Sequence, residues 1–315
     1  MFLSRFRQLM TRVDKMRSYD RFDRPVFVIS APRCGSTFVY EMLEHFPQTS
    51  GHRVENDVIW RGLFPWDRLD EPSDQVDACD ARPREARLLR RACYRRGRWG
   101  CSSRLHWKQR LGIAPIRYIE KTVANCFHIP LIEQIFPDAR YILLLRDPRA
   151  GIGSMLSGFR KSPDRCEYPM LAQWNPALRY YAYPLPPGWR KQMTGDLDHA
   201  CAWAWVEHVQ TAMKHLEQVP ENRCLTLRYE EVIANPVSAM RAMGTFADLT
   251  CDAATQRFAC ESPLSRTTVS PPRADKWKQE HGQSIERMMP LIEPLMRRLG
   301  YGDDVQSGQS LGRVA

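Results

Sequence analysis

The segment from Val26 to Phe46 most constrains the fold. Val26-Phe27-Val28-Ile29 is apolar at every position, as in a strand buried on both faces. It runs directly into Ser30-Ala31-Pro32-Arg33-Cys34-Gly35-Ser36-Thr37, after which Phe38, Val39, Met42, Leu43 and Phe46 recur at helical spacing. The reading is strand, loop, helix. At such a junction the unpaired N–H groups of the first helical turn point into the loop and attract an anion, helped by the helix dipole. Gly35 lets the backbone approach that anion closely, and Ser36 and Thr37 add hydroxyl donors. An ordinary capped strand-to-helix turn is the alternative reading of this segment alone.

Two further apolar runs, Tyr141 to Leu145 and the shorter Cys224 to Leu227, also read as strands, and Ile116 to Glu120 reads as a short strand. Helical stretches lie at Ile129 to Phe136, Ala200 to Val219 and Val237 to Leu249. This alternation predicts an α/β chain with a P-loop-like three-layer fold: a central, mainly parallel sheet with helices on both faces. The 315 residues, 43% of them hydrophobic, suffice for a single such domain over 25–301. A basic amphipathic arm is expected over 1–24, with Phe2, Phe6, Met10 and Val13 at helical spacing, and a disordered polar tail over 302–315.

No run of about eighteen apolar residues occurs, and Arg, Lys and Asp interrupt the N-terminal segment, so neither a transmembrane helix nor a signal peptide is expected. The expectation is a soluble, cytoplasmic protein. Ten cysteines form no C-x-x-C pair and read as reduced thiols, with no metal site. A net charge of +10 fits nucleic-acid binding, and equally a cleft that holds a multiply anionic nucleotide.

Two stretches stand apart. Arg82, Arg84, Arg87, Arg90, Arg91, Arg95, Arg96 and Arg98 precede Trp99 and Trp107; a solvated helix face explains them, and an anionic acceptor or partner is the alternative. Glu167 to Met193 carries Trp174, Tyr180, Tyr181, Tyr183 and Trp189 with many prolines, as expected of an ordered aromatic loop over a pocket.

Set against the nucleoside-triphosphatase loop G-x-x-x-x-G-K-[ST], Ser30 replaces the first glycine, Gly35 keeps the second, Ser36 replaces the lysine and Thr37 keeps the hydroxyl. The positive charge is instead Arg33. The segment resembles the loop of sulfotransferases that use 3′-phosphoadenosine-5′-phosphosulfate (PAPS), Pro-[Arg/Lys]-x-Gly-[Ser/Thr]-[Ser/Thr]. A second segment, Leu145-Arg146-Asp147-Pro148-Arg149-Ala150-Gly151-Ile152-Gly153-Ser154, is similar to that family's 3′-phosphate segment. Glu120-Lys121-Thr122, Phe136-Pro137-Asp138-Ala139, Arg228-Tyr229-Glu230-Glu231 with Asn235-Pro236, and Lys276-Trp277 extend the similarity over roughly residues 25–301.

The resemblance implies an enzyme that takes PAPS as cosubstrate, releases 3′-phosphoadenosine-5′-phosphate (PAP) and needs no metal. It assigns Arg33, Cys34, Gly35, Ser36 and Thr37 to the 5′-phosphosulfate and Arg146 and Ser154 to the 3′-phosphate. Guanidinium forks suit phosphate oxygens. The alternative pairs Arg146 with Asp147 at the surface. Tyr229 corresponds to a tyrosine near the adenine. Arg273 and Lys276 stand where relatives close a basic loop over the 3′-phosphate, although the Arg-Lys-Gly pattern of the cytosolic branch is missing.

In-line sulfuryl transfer needs a cation for the leaving oxygen and a base for the acceptor's proton. Arg33 and Lys121 are the cation candidates; a surface pair with Glu120 is the other reading of Lys121. The cytosolic small-molecule branch draws its base from Lys-Thr-His, whereas this chain has Lys121-Thr122-Val123. The resemblance to carbohydrate-type and bacterial branches implies a glutamate after the second strand, which is Glu55, with His52 as the competing base. The acceptor is then a hydroxyl or amine, tilted toward a carbohydrate or another polyhydroxylated metabolite. No nucleic-acid partner is expected. A nucleotide kinase or triphosphatase, and a basic nucleic-acid-binding module built on the arginines at 82–98, remain the alternatives.

Overall fold

The apolar run Val26–Ile29 becomes β1, the central strand of a five-stranded sheet ordered β2-β3-β1-β4-β5, with every neighbouring pair parallel. The computed structural model describes residues 21–65, 72–79, 82–100, 107–111, 113–159, 167–261, 264–268 and 275–302. The other strands are β2 (Thr49–Gly51), β3 (Arg117–Glu120), β4 (Arg140–Leu145) and β5 (Cys224–Arg228). The helices that matter below are α1 (Ser36–Glu44), α2 (Asp57–Leu63), α3 (Pro83–Trp99), α4 (Ile129–Ile135), α5 (Pro148–Phe159), α6 (Leu197–Leu216), α7 (Tyr229–Ala234), α8 (Pro236–Ala247), α9 (Ala253–Glu261) and α10 (Lys276–Arg298).

Strand side chains alternate between faces, so an all-apolar strand must feed two cores. Phe27 and Ile29 join Tyr118, Tyr141, Leu143 and Leu145 against α3, α4, α6 and α10, where Leu89, Ile132, Trp205 and Ile292 fill the layer. Val26 and Val28 join Ile119, Ile142 and Leu144 against α1 and α8, packed by Val39, Leu43, Met240 and Met243. Burying each large apolar side chain contributes about 1.5–3 kcal/mol, so the two layers hold the strand ends in fixed positions. The three-layer α/β expectation is met.

The domain starts earlier than Pro25. Phe22 pairs in parallel with Ile116, just before β3, and packs edge-on against Tyr94, Tyr118 and Phe136. The remainder of the expected arm, residues 1–20, and residues 303–315 of the expected tail lie outside the described residues.

The aromatic stretch after Glu167 mostly builds a small core of its own. Tyr168, Tyr181 and Trp189 are buried with Leu171, Leu185 and Met193 against Ala200 and Trp203 of α6, and only Ala182, Tyr183 and Pro184 of its middle reach the cleft described below. The expected aromatic lid is thus largely packing. Among the described residues no helix is long and apolar enough to cross a membrane.

Candidate active site

The loop after β1 turns on two left-handed positions flanking Cys34: Arg33 at φ 61° and Gly35 at φ 91°. Gly35 caps α1, and its carbonyl accepts from the N–H of Phe38 at 3.0 Å. The N–H groups of Ser36 and Thr37 precede any helical acceptor and are left for an anion. A β-carbon on Gly35 would overlap the Tyr229 ring, so the glycine is required by both its backbone conformation and its neighbour. Cys34 contributes only backbone: its side chain is buried away from the cleft, its Sγ points to the Pro32 carbonyl at 3.7 Å, and burial pushes the thiol up to about 12.

The second segment meets the first. Arg146, just beyond β4, donates from Nη1 to the Arg33 carbonyl at 2.7 Å and lies over the Tyr229 ring at 4.6 Å. Arg33 Nε donates in turn to Ser154 Oγ of α5 at 3.2 Å. The buried Nε of Arg146 has no protein partner among the described residues. A buried, unpaired guanidinium nitrogen in a cleft is the donor a phosphate oxygen completes. The surface pair of Arg146 with Asp147 does not form; Asp147 pairs with Arg149 at 2.9 Å, and its N–H donates to Glu230.

Tyr229 begins α7 directly after β5 and closes this end of a cleft of ≈ 410 Å³. Lys276 and Trp277, at the start of α10, line the same cleft, with Lys276 3.4 Å from Glu280. Arg273 lies outside the described residues.

The opposite wall comes from the loops after β2 and β3, which are adjacent in the sheet. Glu120, the last residue of β3, points into the interior, where its carboxylate accepts from Thr122 Oγ1 and Asn125 Nδ2, and burial pushes it up to about 7. Lys121, one residue on, turns the other way into the cleft and donates to Glu55 Oε1, not to Glu120. The N–H of Val123 donates to Glu55 Oε2 at 3.4 Å. Glu55 is seated from behind as well: Arg96 of α3 donates to its main-chain carbonyl at 3.1 Å and to the Asn56 side chain, and the Asn56 N–H donates to Thr122 Oγ1 at 2.7 Å. His52 does not line the cleft; its Nδ1 accepts from the Val54 N–H at 3.2 Å, capping its own turn.

The sulfotransferase family model matches residues 25–253. The chain belongs to the sulfotransferase family. This sulfotransferase-family chain is 25% identical over 186 residues to protein-tyrosine sulfotransferase A of Caenorhabditis elegans, a match covering 54% of this chain and 41% of that protein. With protein-tyrosine sulfotransferase 1 of Danio rerio it shares 25% identity over 191 residues, covering 54% and 44%. The matches thus span less than half the length of these relatives. Among solved structures, sulfotransferase STF9 from Mycobacterium avium superposes at a TM-score of 0.49 with 18% identity, covering 98% of this chain and 83% of that one.

Several residues of this sulfotransferase-family site were not singled out from the sequence. Arg96 is hidden in an arginine-rich helix, Glu120 looks like any strand-end acid, and Asp57 and Arg61 look like the polar face of a short helix. Only their partners across the fold distinguish them. Of the other arginines in α3, Arg90 donates to the Ile135 carbonyl and stacks on Phe22 and Phe136, and Arg98 donates to the Arg110 carbonyl.

Proposed function

We propose that the chain catalyses sulfuryl transfer from PAPS to an acceptor hydroxyl. The observation that carries this reading is the Lys121 to Glu55 pair, set in the same cleft as the anion-binding loop and Arg146. The residues present fit the nucleotide: a glycine cradle at Gly35, unpaired N–H groups at Ser36 and Thr37, and a buried guanidinium nitrogen on Arg146 awaiting an acceptor.

PAPS, when bound, supplies the sulfuryl group and a phosphate leaving group. The N–H groups and hydroxyls of Ser36 and Thr37, with Arg33, hold the phosphosulfate end. Arg146 and Ser154 hold the 3′-phosphate, and Tyr229 lies against the base. Lys121 neutralises negative charge that develops on the leaving oxygen, and Glu55 takes the proton from the acceptor hydroxyl. The Lys121 ammonium keeps the Glu55 carboxylate oriented toward the cleft until an acceptor hydroxyl reaches it.

Similarity to protein-tyrosine sulfotransferases makes a phenolic hydroxyl the first acceptor to test, ahead of the carbohydrate hydroxyl that a glutamate base alone favours. The test is Glu55→Gln: transfer from labelled PAPS falls about 10²–10⁴-fold while PAP affinity is kept. Unchanged turnover removes Glu55 from the mechanism. Transfer persists in EDTA, since the proposed charge stabilisation uses only side chains; loss of activity in EDTA favours a metal-dependent phosphoryl-transfer enzyme instead.

A further inference from the structure

Asp57 opens α2 two residues beyond Glu55, and both line the same cleft. The polar groups near it are committed elsewhere. Lys121 donates to Glu55. Arg61, one helical turn further on, gives its guanidinium to Asp74 at 3.1 Å, to Glu167 and to the Tyr168 hydroxyl at 2.8 Å. The Asn56 side chain is engaged by Tyr118 and Arg96. Among the described residues no hydrogen bond or ion pair reaches the Asp57 carboxyl. Burial, with the charge of the neighbouring Glu55, pushes its pKa up from the usual carboxylate range.

A desolvated carboxyl without a partner is costly, and a ligand that brings the missing donor recovers that cost. The charges around it point the same way. Among the residues lining this end of the cleft, the acidic Glu55, Asp57 and Glu167 outnumber the basic Lys121 and Arg61, whereas Arg33, Arg146 and Lys276 line the nucleotide end. An anionic group brought beside Asp57 meets like charge; an ammonium meets its complement.

We propose that Asp57 is a specificity-determining residue that receives a donor group of the acceptor, so that acceptors carrying an amine or ammonium near the reacting hydroxyl are preferred over anionic ones. The inference rests on the sulfotransferase reading of the same cleft. It deepens that reading by giving the acceptor a charge.

Three phenols that differ only in the tail test it: tyramine, para-ethylphenol and para-hydroxyphenylpropionate, which are cationic, neutral and anionic. Each is measured as a sulfuryl acceptor with PAPS and as a dead-end ligand of the complex with PAP. The wild-type protein prefers tyramine to para-ethylphenol by about tenfold or more, and disfavours the propionate further. Asp57→Asn brings tyramine and para-ethylphenol to within about twofold, and Asp57→Lys reverses the order of the charged pair, both with PAP affinity intact. PAP binding is read separately by calorimetry. Wild-type protein that binds no PAP contradicts the donor assignment, whereas intact PAP binding with no tail-charge preference, or the same preference in Asp57→Asn, overturns the role of Asp57.

Discussion

Arg96 Nη1 donates to the main-chain carbonyl of Glu55 at 3.1 Å. A helix whose sequence reads as a solvated arginine face therefore reaches through the fold to hold the loop that carries the proposed base. Because the contact is to backbone and Arg96 does not line the cleft, its loss displaces Glu55 without removing it. Arg96→Ala is expected to lower kcat by roughly tenfold or more while PAP affinity stays within about twofold, since small misplacements of a reacting group are costly. Arg96→Lys, which keeps one charged donor, recovers part of the loss. Steady-state kinetics beside PAP titration separates this from general unfolding, which would reduce both.

Gly35→Ala tests the phosphate loop. The substitution places a β-carbon into the Tyr229 ring at a backbone φ of 91°. Two penalties act together, steric overlap and a left-handed conformation that costs an L-residue roughly 1–2 kcal/mol. PAP affinity is expected to fall at least about tenfold. Adding Tyr229→Ala relieves the overlap and leaves the backbone strain, so the double variant binds PAP more weakly than Tyr229→Ala alone; full recovery to that level with normal stability would show that the strain is absent.

Arg146→Ala removes the guanidinium whose buried Nε has no partner among the described residues. A charged hydrogen bond contributes about 1.5–3 kcal/mol, so PAP affinity is expected to drop about 10- to 100-fold, measured by calorimetry. Adenosine 5′-phosphosulfate, which lacks the 3′-phosphate, should bind wild type and variant alike. Equal losses for both nucleotides would move Arg146 away from the 3′-phosphate.

Glu120 provides a pH signature. Its carboxyl is pushed up to about 7 from the usual 4.5 by burial behind the Lys121 turn. The unfolded chain ionises it near 4.5 while the folded chain retains the proton to about 7, so its contribution to stability is whole below pH 4.5 and is lost as pH rises to about 7. Buried His128 and His208, pushed down to about 4 from 6.5, act in the opposite sense, with stability lost as pH falls from 6.5 toward 4. Both histidines are common to wild type and Glu120→Gln and cancel in the comparison. Thermal unfolding should therefore show the variant gaining on wild type between pH 4.5 and 7 and levelling off above. A pH-independent difference would mean that Glu120 is ionised throughout.

The parts legible in the sequence are those whose signal is local. β1 and its loop announce themselves through an unbroken apolar run, a glycine and two hydroxyls, and Arg146 through the motif at the end of β4. Glu55 is reached only through the family resemblance, which implies a glutamate after the second strand; β2 itself, Thr49-Ser50-Gly51, carries no strongly apolar residue. It is buried because α3 covers it and the Ser50 hydroxyl donates to the Gly97 carbonyl. Lys121 and Glu120 are neighbours that read as a pair, but the turn at the strand end sends them to opposite sides, one into the cleft and one into the interior. The roles of Arg96 and Asp57 depend on partners 41 residues away or on the absence of any, and neither leaves a trace in local spacing. The aromatic residues after Glu167 gave the right composition for a lid and the wrong depth, because most of them found partners in α6 and in one another.

The central claim is that this cleft holds a nucleotide bearing a 3′-phosphate beside the sulfuryl-transfer site. Thermal unfolding with PAP, ADP and ATP in parallel tests it most directly. PAP at about a hundred times its dissociation constant should stabilise the protein by roughly 2.7 kcal/mol, with little effect from ADP or ATP at the same concentration. Equal shifts from all three, or no shift from PAP, would contradict the assignment.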